Sequence, residues 1–393
     1  MTNKVLFICV FAFASLAVSI ADSGTAWAQT EVRVKGYLEH QYSVSYNEGN
    51  WTHLDYDRAR VDVSARAGRG TRISIAPVWQ IFRGDTKIPL RDVLPDFLDV
   101  FADSATVPIE NQLLLNHAYI SLRPGPLELT IGKQYLAWGA ALVFNPTELF
   151  RPKNVLEPGY EREGVGAITA RLPLGTLSDV TIGLVPDGRI KESGKLVRIR
   201  HHISGFDISA LAVLLTEPVL PTTLNLLSPE EQQRVTFGGD ITGEILGLGA
   251  WAEATWSDQG ETQWVEATAG SNYTLASNTT LMIEATYNGR GAWDAPYTPS
   301  LWAGRLTGVL RSMSKVVVYG AVFHPVDQFQ LWNVGLSGLV SAADGSAVII
   351  PSVSYAFAQD VDLLFNALVY AGEDGSEYAG RRFGAFIRAR VYF

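Results

Sequence analysis

Cysteine is almost absent: the single one, Cys9, sits in the opening apolar segment. That segment reads as a secretory signal peptide, residues 1–28. Lys4 supplies the positive start, Val5 to Ile20 the apolar run, and "AWA" at Ala26 to Ala28 the small-x-small cleavage site. Cys9 follows Ile8, whereas a lipoprotein site wants a small residue there. The expected mature chain, 29–393, therefore has no disulfide, no thiol nucleophile, and no cysteine-ligated metal or c-type haem. Long hydrophobic runs are also missing beyond Ile20, which excludes a membrane-spanning helix of about 20 residues. Charged residues are scarce, at 18%, below the usual quarter. The net charge of -9 argues against a nucleic-acid partner.

Catalytic signatures are lacking as well. There is no Gly-x-Ser-x-Gly elbow and no His-Glu-x-x-His zinc motif. The stretch "GRIKESGK" (188–195) superficially resembles a phosphate loop, but its spacing is one residue too long and no Ser or Thr follows Lys195. His40, His53, His117 and His324 are scattered, and His201 and His202 are adjacent, hence on opposite faces of a strand. No cofactor or metal site is read from this chain.

What is present is alternation. In "RRFGAFIRARVYF" (381–393), Phe383, Ala385, Ile387, Ala389, Val391 and Phe393 form one face, and Arg382, Arg388 and Arg390 lie on the other. Period-2 patterning means a strand with one oily and one wet face. "VRVKGYLEHQYSVSY" sets Val34, Leu38, Tyr42 and Val44 against Arg33, Lys35, Glu39 and Gln41. "YDRARVDVSARAG" sets Ala59, Val61, Val63 and Ala65 against Arg58, Arg60, Asp62, Ser64 and Arg66. Such segments of about 10 residues, in an exported, aromatic-rich chain with 10 Trp, are the signature of an outer-membrane β-barrel.

Tight turns at 68–71, 124–126, 173–176 and 204–206 alternate with longer stretches at 84–111, 139–162, 216–233 and 288–313. Short turns belong to the periplasmic side and long loops to the exterior. With both termini in the periplasm the strand count is even. That makes 288–313 one external loop holding a helical turn. The fold expected is all-β: a single transmembrane antiparallel up-and-down barrel of about 18 strands, with 16 as the alternative.

The block "LLNHAYISLRPGPLELTIGKQYLAWGAALVFNPTELFRP" (114–152) resembles the strand-turn-strand block of alginate-export-type and related putative outer-membrane porins. Those share a strand with Ala-Tyr, a tight turn, Gly-Arg-Gln, Trp-Gly and an Asn-Pro loop; here Lys133 replaces the Arg. The terminal Phe393 resembles the tag by which the barrel-assembly machinery recognises its clients. The resemblance implies an outer-membrane protein whose partners are lipid and that machinery; it says little about solute or oligomeric state.

Closing the barrel sets the last strand beside the first. Arg33, Lys35, Arg58, Arg60, Arg66, Arg382, Arg388 and Arg390 are then expected to form a basic wall. The inward acids Asp240, Glu244, Glu253, Glu266 and Glu284 form an acidic wall opposite, and Arg198 and Arg200 add a second basic strip. Two readings stay open: a transverse field acting on solutes, or simple solvation of a wide lumen. Two loops are candidates for folding inward. In 84–111, Val93, Leu94, Phe97, Leu98 and Phe101 mark one helix face. In 139–162 lie Glu148, Arg151, Lys153, Tyr160, Glu161 and Arg162. Lys133 has the lipid-face parity of Leu129 and Ile131, which demands a bulge or snorkelling. The function expected is passive diffusion of small polar or anionic solutes. An export conduit, a scaffold for an exported complex, and an outer-membrane enzyme are the other readings.

Overall fold

A computed structural model describes residues 30–393, apart from 48, 69, 90–105, 152–153, 158–159, 188–192, 221–229 and 379–382. The signal peptide, the apolar stretch Val93–Phe101, Lys153 and Arg382 lie outside the described residues.

The period-2 segments form strands. In chain order they are β1 (Thr30–Asn47), β2 (Asn50–Ala67), β3 (Thr71–Gly84), β4 (Lys87–Pro89), β5 (Thr106–Pro108), β6 (Gln112–Leu122) and β7 (Glu128–Gln134). Then come β8 (Val165–Pro173), β9 (Asp179–Val185), β10 (Gly194–Ile203), β11 (Phe206–Pro218), β12 (Glu231–Ile245), β13 (Leu248–Gln259) and β14 (Thr262–Thr274). β15 (Thr280–Asn288), a helix α1 (Pro299–Leu306), β16 (Val316–Pro325), β17 (Trp332–Ser341), β18 (Ala347–Ala358), β19 (Val361–Ala371) and β20 (Phe383–Tyr392) complete the chain. Eighteen strands make one antiparallel sheet, closed where β20 pairs with β1 from Tyr37↔Tyr392 to Tyr46↔Phe383. β4 and β5 form a separate ribbon in the loop after β3. The even count and the single loop 289–315 carrying α1 agree with the sequence reading.

The tight turns at 68–71, 124–126, 173–176 and 204–206 fall at one end with Phe393, and the longer loops at the other, where two-residue turns also join β1 to β2 and β13 to β14. Parity separates the faces. On β20, Ile387, Val391 and Phe393 are exposed outward, while Arg388 is buried in the lumen. Phe393 finishes the seam. Its N–H donates to the Gly36 carbonyl at 3.0 Å, and the Gly36 N–H returns a bond at 2.9 Å. A Cβ on Gly36 would collide with the Phe393 ring and the Arg60 carbonyl, so glycine makes room for the terminal aromatic.

Lys133 keeps its outward parity. The β6–β7 register runs unbroken from Ala118↔Lys133 to Leu122↔Leu129, and Lys133 Nζ pairs with Glu163 at 3.0 Å. The bulge in this region lies instead between β3 and β6, at Ala76/Pro77.

Candidate functional site: a constriction across the lumen

Between β7 and β8, the described residues 135–151, 154–157 and 160–164 fold into the barrel. Two lumenal carboxylates hold its first half. Glu253 on β13 accepts from the backbone N–H groups of Ala140, Ala141 (2.6 Å) and Thr147 (3.3 Å), and from the Thr147 hydroxyl at 2.7 Å. Glu284 on β15 accepts from Leu142 (2.6 Å), Val143 and Phe144 N–H (both 3.0 Å), and from the Trp251 indole at 3.0 Å. Successive backbone N–H groups converging on a carboxylate make an anion nest, here filled by the protein's own acids. Charge-assisted bonds of this kind contribute about 1.5–3 kcal/mol each.

The Trp-Gly and Asn-Pro residues singled out in the sequence build this latch. Gly139 has φ +93°, and a Cβ there would strike the Glu253 carboxylate and Thr147. Asn145 donates to Glu253 at 3.4 Å. Trp138 packs edge-on against Phe150, and the Arg198 guanidinium lies 5.6 Å from its ring. From the loop above, Arg311 donates to the carbonyls of Asn145 and Glu148.

Apolar packing fills the space beneath. Val143, Phe144 and Val155 meet Val317, Tyr319, Leu339, Val348 and Ile350 of β16–β18. Leu136 and Leu149 meet Leu196, Leu211, Val213 and Leu215 of β10 and β11. These walls face inward yet are apolar, because the loop and not water covers them.

The second half of the loop crosses to the β20–β1–β2 wall. Glu157 pairs with Arg388 at 2.5 Å. Glu161 pairs with Arg58 (3.1 Å) and Arg60 (2.7 Å) and accepts from the Tyr37 hydroxyl at 2.9 Å. Glu39 is buried between Arg390 (2.5 Å) and Arg388 (3.7 Å), and accepts from Tyr160 and Tyr56 hydroxyls at 2.8 and 2.9 Å. Asp62 takes Arg60 at 2.7 Å. Arg388 and Arg390 stack on Tyr160 and Tyr37, 4.7 and 4.5 Å from the ring centroids.

The uniform basic wall expected from the sequence is thus interleaved with acid. Arg58, Arg60, Arg388 and Arg390 face Glu39, Asp62, Glu157 and Glu161, four against four. The alternation had already placed Glu39 and Asp62 on the lumenal face; Glu157 came from a loop whose fold no periodicity reveals. Arg33 and Lys35 do not neighbour Arg388 and Arg390. β20 ends opposite Gly36, so the two residues continue past it towards the tight-turn mouth. Arg33 pairs with Glu31. Lys35, Arg66 and Arg72, the last opposite Arg66 in register, have no ion-pair partner among the described residues. The expected acidic wall is divided too. Glu253 and Glu284 hold the loop. Asp240 is buried against Arg198 (3.3 Å) and Ser209. Glu266 accepts from the Trp264 indole at 3.2 Å, and only Glu244 is exposed. Arg200 pairs with Asp179 at 3.2 Å. Within the loop, Glu148 is buried against Arg162 and does not line the passage, and Arg151 is exposed. Burial draws the Arg162 pKa below the ordinary guanidinium value.

Between the arginine wall and β16–β19 remains a cavity of about 560 Å³. Arg388, Arg390 and Tyr160 line one side, and Asn333, Ser337 and Tyr319 the other. One wall offers charge and ring faces, the other amide, hydroxyl and apolar surface.

No family model matches the sequence, and no curated protein matches it. Among solved structures the fold is similar to that of OccAB1 from Acinetobacter baumannii, with TM-score 0.59 and 9% identity, covering 92% of this chain and 96% of that one. It is likewise similar to the outer membrane protein OpdK from Pseudomonas aeruginosa (TM-score 0.58, 7% identity, covering 92% and 98%). OpdL of the same organism gives TM-score 0.58 and 11% identity, covering 92% and 99%. At these identities the likeness is one of fold: a closed outer-membrane-type β-barrel spanning nearly the whole of each chain.

Proposed function

We propose that the protein is an outer-membrane channel for passive diffusion of small polar or anionic solutes, with residues 135–164 as a fixed constriction. The observation that carries this reading is the infolded loop. It is latched by Glu253 and Glu284 on one wall and by the arginine cluster on the other, and it leaves a cavity of about 560 Å³ beside it. A wide barrel becomes selective only when narrowed. A loop that narrows the lumen favours small solutes over a polysaccharide. Anion preference in this reading comes from Lys35, Arg66 and Arg72 at the tight-turn mouth, which have no ion-pair partner among the described residues, since the central arginines are neutralised. Gradients supply the driving force, so the channel needs no cofactor. Purified protein in planar bilayers should give stable unitary conductance, and liposomes should swell with small amino acids and organic anions. Absence of both from correctly folded, heat-modifiable barrel would rule the channel out and return the scaffold and enzyme readings.

A further inference from the structure

The outer face of β1–β3 carries a charged network where a lipid-facing surface should be apolar. His40 and Asp57 lie 2.8 Å apart. Arg83 reaches Asp57 at 2.5 Å and Asp55 at 3.8 Å, and His53 meets Asp85 at 3.1 Å. Register and parity put the strand members outward: His40 opposite Asp57, Asp57 opposite Ile81, Asp55 opposite Arg83. Their side chains remain a quarter to more than a half exposed.

Register also sets their height. His40 stands opposite Ala389, which the outward Ile387 and Val391 flank on β20, four residues short of Phe393. Towards the long-loop end, Tyr46, Trp51 and Phe383 pack with ring centroids 5.0 and 6.5 Å apart, as an aromatic belt at the membrane boundary does. The network therefore begins inside the apolar band at His40 and Asp57 and climbs to its rim at Arg83 and Asp85. Half-exposed charges facing acyl chains are costly, and increasingly so with depth.

We infer that a second copy of this chain covers this face. Acyl chains offer these groups no partner. Lipid phosphates are disfavoured by three carboxylates, Asp55, Asp57 and Asp85, which outnumber the one arginine and already face both histidines, His40 and His53. A surface that carries both signs within one patch is instead complementary to its own symmetry-related copy, with Arg83 of one copy meeting Asp55 or Asp85 of the other. The surroundings suit an interface: exposed Tyr42, Trp51, Trp79 and Ile81 border the network, and aromatic residues and arginine are the types enriched at such contacts.

The test uses the full-length chain in its native membrane. Beyond Cys9, a thiol introduced by Ile81→Cys is the only one. Mild oxidation should then join copies through Ile81→Cys, but not through Ala254→Cys on the lipid face of β13. Light scattering in mild detergent should give a mass of two or more copies for the unmodified barrel. The triple variant His40→Leu, Asp57→Leu, Arg83→Leu should give one copy while keeping its heat-modifiable fold. Should that variant not fold, Asp57→Asn with Arg83→Gln keeps side-chain size and makes the same comparison. A single-copy mass together with no Ile81→Cys crosslink overturns the proposal. So does an unchanged oligomer after the charges are removed, or a crosslink to a different protein.

Discussion

Single glycines and carboxylates decide where the loop goes. Glu253 and Glu284 look like pore-lining acids in a strand pattern, because parity places them inward and nothing in the alternation shows what they meet. Their role follows from Gly139, whose left-handed backbone lets successive N–H groups turn towards Glu253. Replacing Glu253 by Ala leaves those donors without an acceptor. At about 1.5–3 kcal/mol per charged bond, the latch on that side should be lost. Expected outcomes are larger and noisier unitary conductance and new protease cleavage between residues 139 and 147, with Glu253→Gln intermediate. Unaltered conductance for Glu253→Ala would show that the apolar packing alone holds the loop. At the seam, Phe393 rests on Gly36. If the terminal ring acts only as an assembly tag, Gly36→Val should insert normally while deletion of Phe393 should not. Because the ring also closes the barrel, both changes are expected to lower the heat-modifiable fraction seen on unheated gels.

At the level of elements, strands were legible and loops were not. Strands announce themselves because one face meets lipid and the other water, so parity repeats locally. The single external loop at 288–313 followed from counting strands, and the structure shows the basis of the helix within it: Thr298 caps α1 by accepting from the Leu301 N–H, with Pro299 at its start. The inward apolar walls of β16–β18 defeat parity reasoning, since a distant loop covers them. Loop-to-loop contacts were equally hidden. Glu377, in the loop before β20, accepts from the Met313 and Ser314 N–H groups at 2.6 and 3.0 Å and faces Arg305. Burial raises its pKa above the ordinary carboxylate value, although Arg305 and those two bonds pull it down. A raised folded pKa favours the docked loop fully below the unfolded value of about 4.3, and that advantage is lost as pH rises through the folded value. Amide-exchange protection of Met313 and Ser314 should therefore fall as pH rises through that window. Glu377→Gln, which keeps an acceptor, should flatten the profile. A dependence that persists in the Gln variant would assign it to another group.

For the whole molecule, closure was legible because an even strand count and an outward terminal aromatic leave few topologies. The distribution of lumenal charge was not, because ion pairs form between segments far apart in sequence: Arg388 and Glu157 are 231 residues apart. This changes what the arginines should do. With four guanidiniums against four carboxylates, the constriction is locally balanced. Replacing Arg388 and Arg390 by Ser leaves two against four, a local charge of -2, with Glu39 and Glu157 released. At an effective dielectric of about 20, a unit charge 5 Å from a passing ion is worth about 3 kcal/mol. Screening acts over about 30 Å at 0.01 M salt but only about 10 Å at 0.1 M. In a salt gradient the reversal potential of the double variant should shift towards cations, most clearly at low salt. Glu157→Gln with Glu161→Gln, which leaves four against two, should shift it towards anions by a comparable amount. Both variants must first show parent-like heat-modifiability, so that a misfolded loop is not mistaken for altered selectivity. If both fold and both match the parent at low salt, ions do not pass within reach of these side chains. The arginine cluster is then only the loop's second anchor, and selectivity must be sought at Lys35, Arg66 and Arg72.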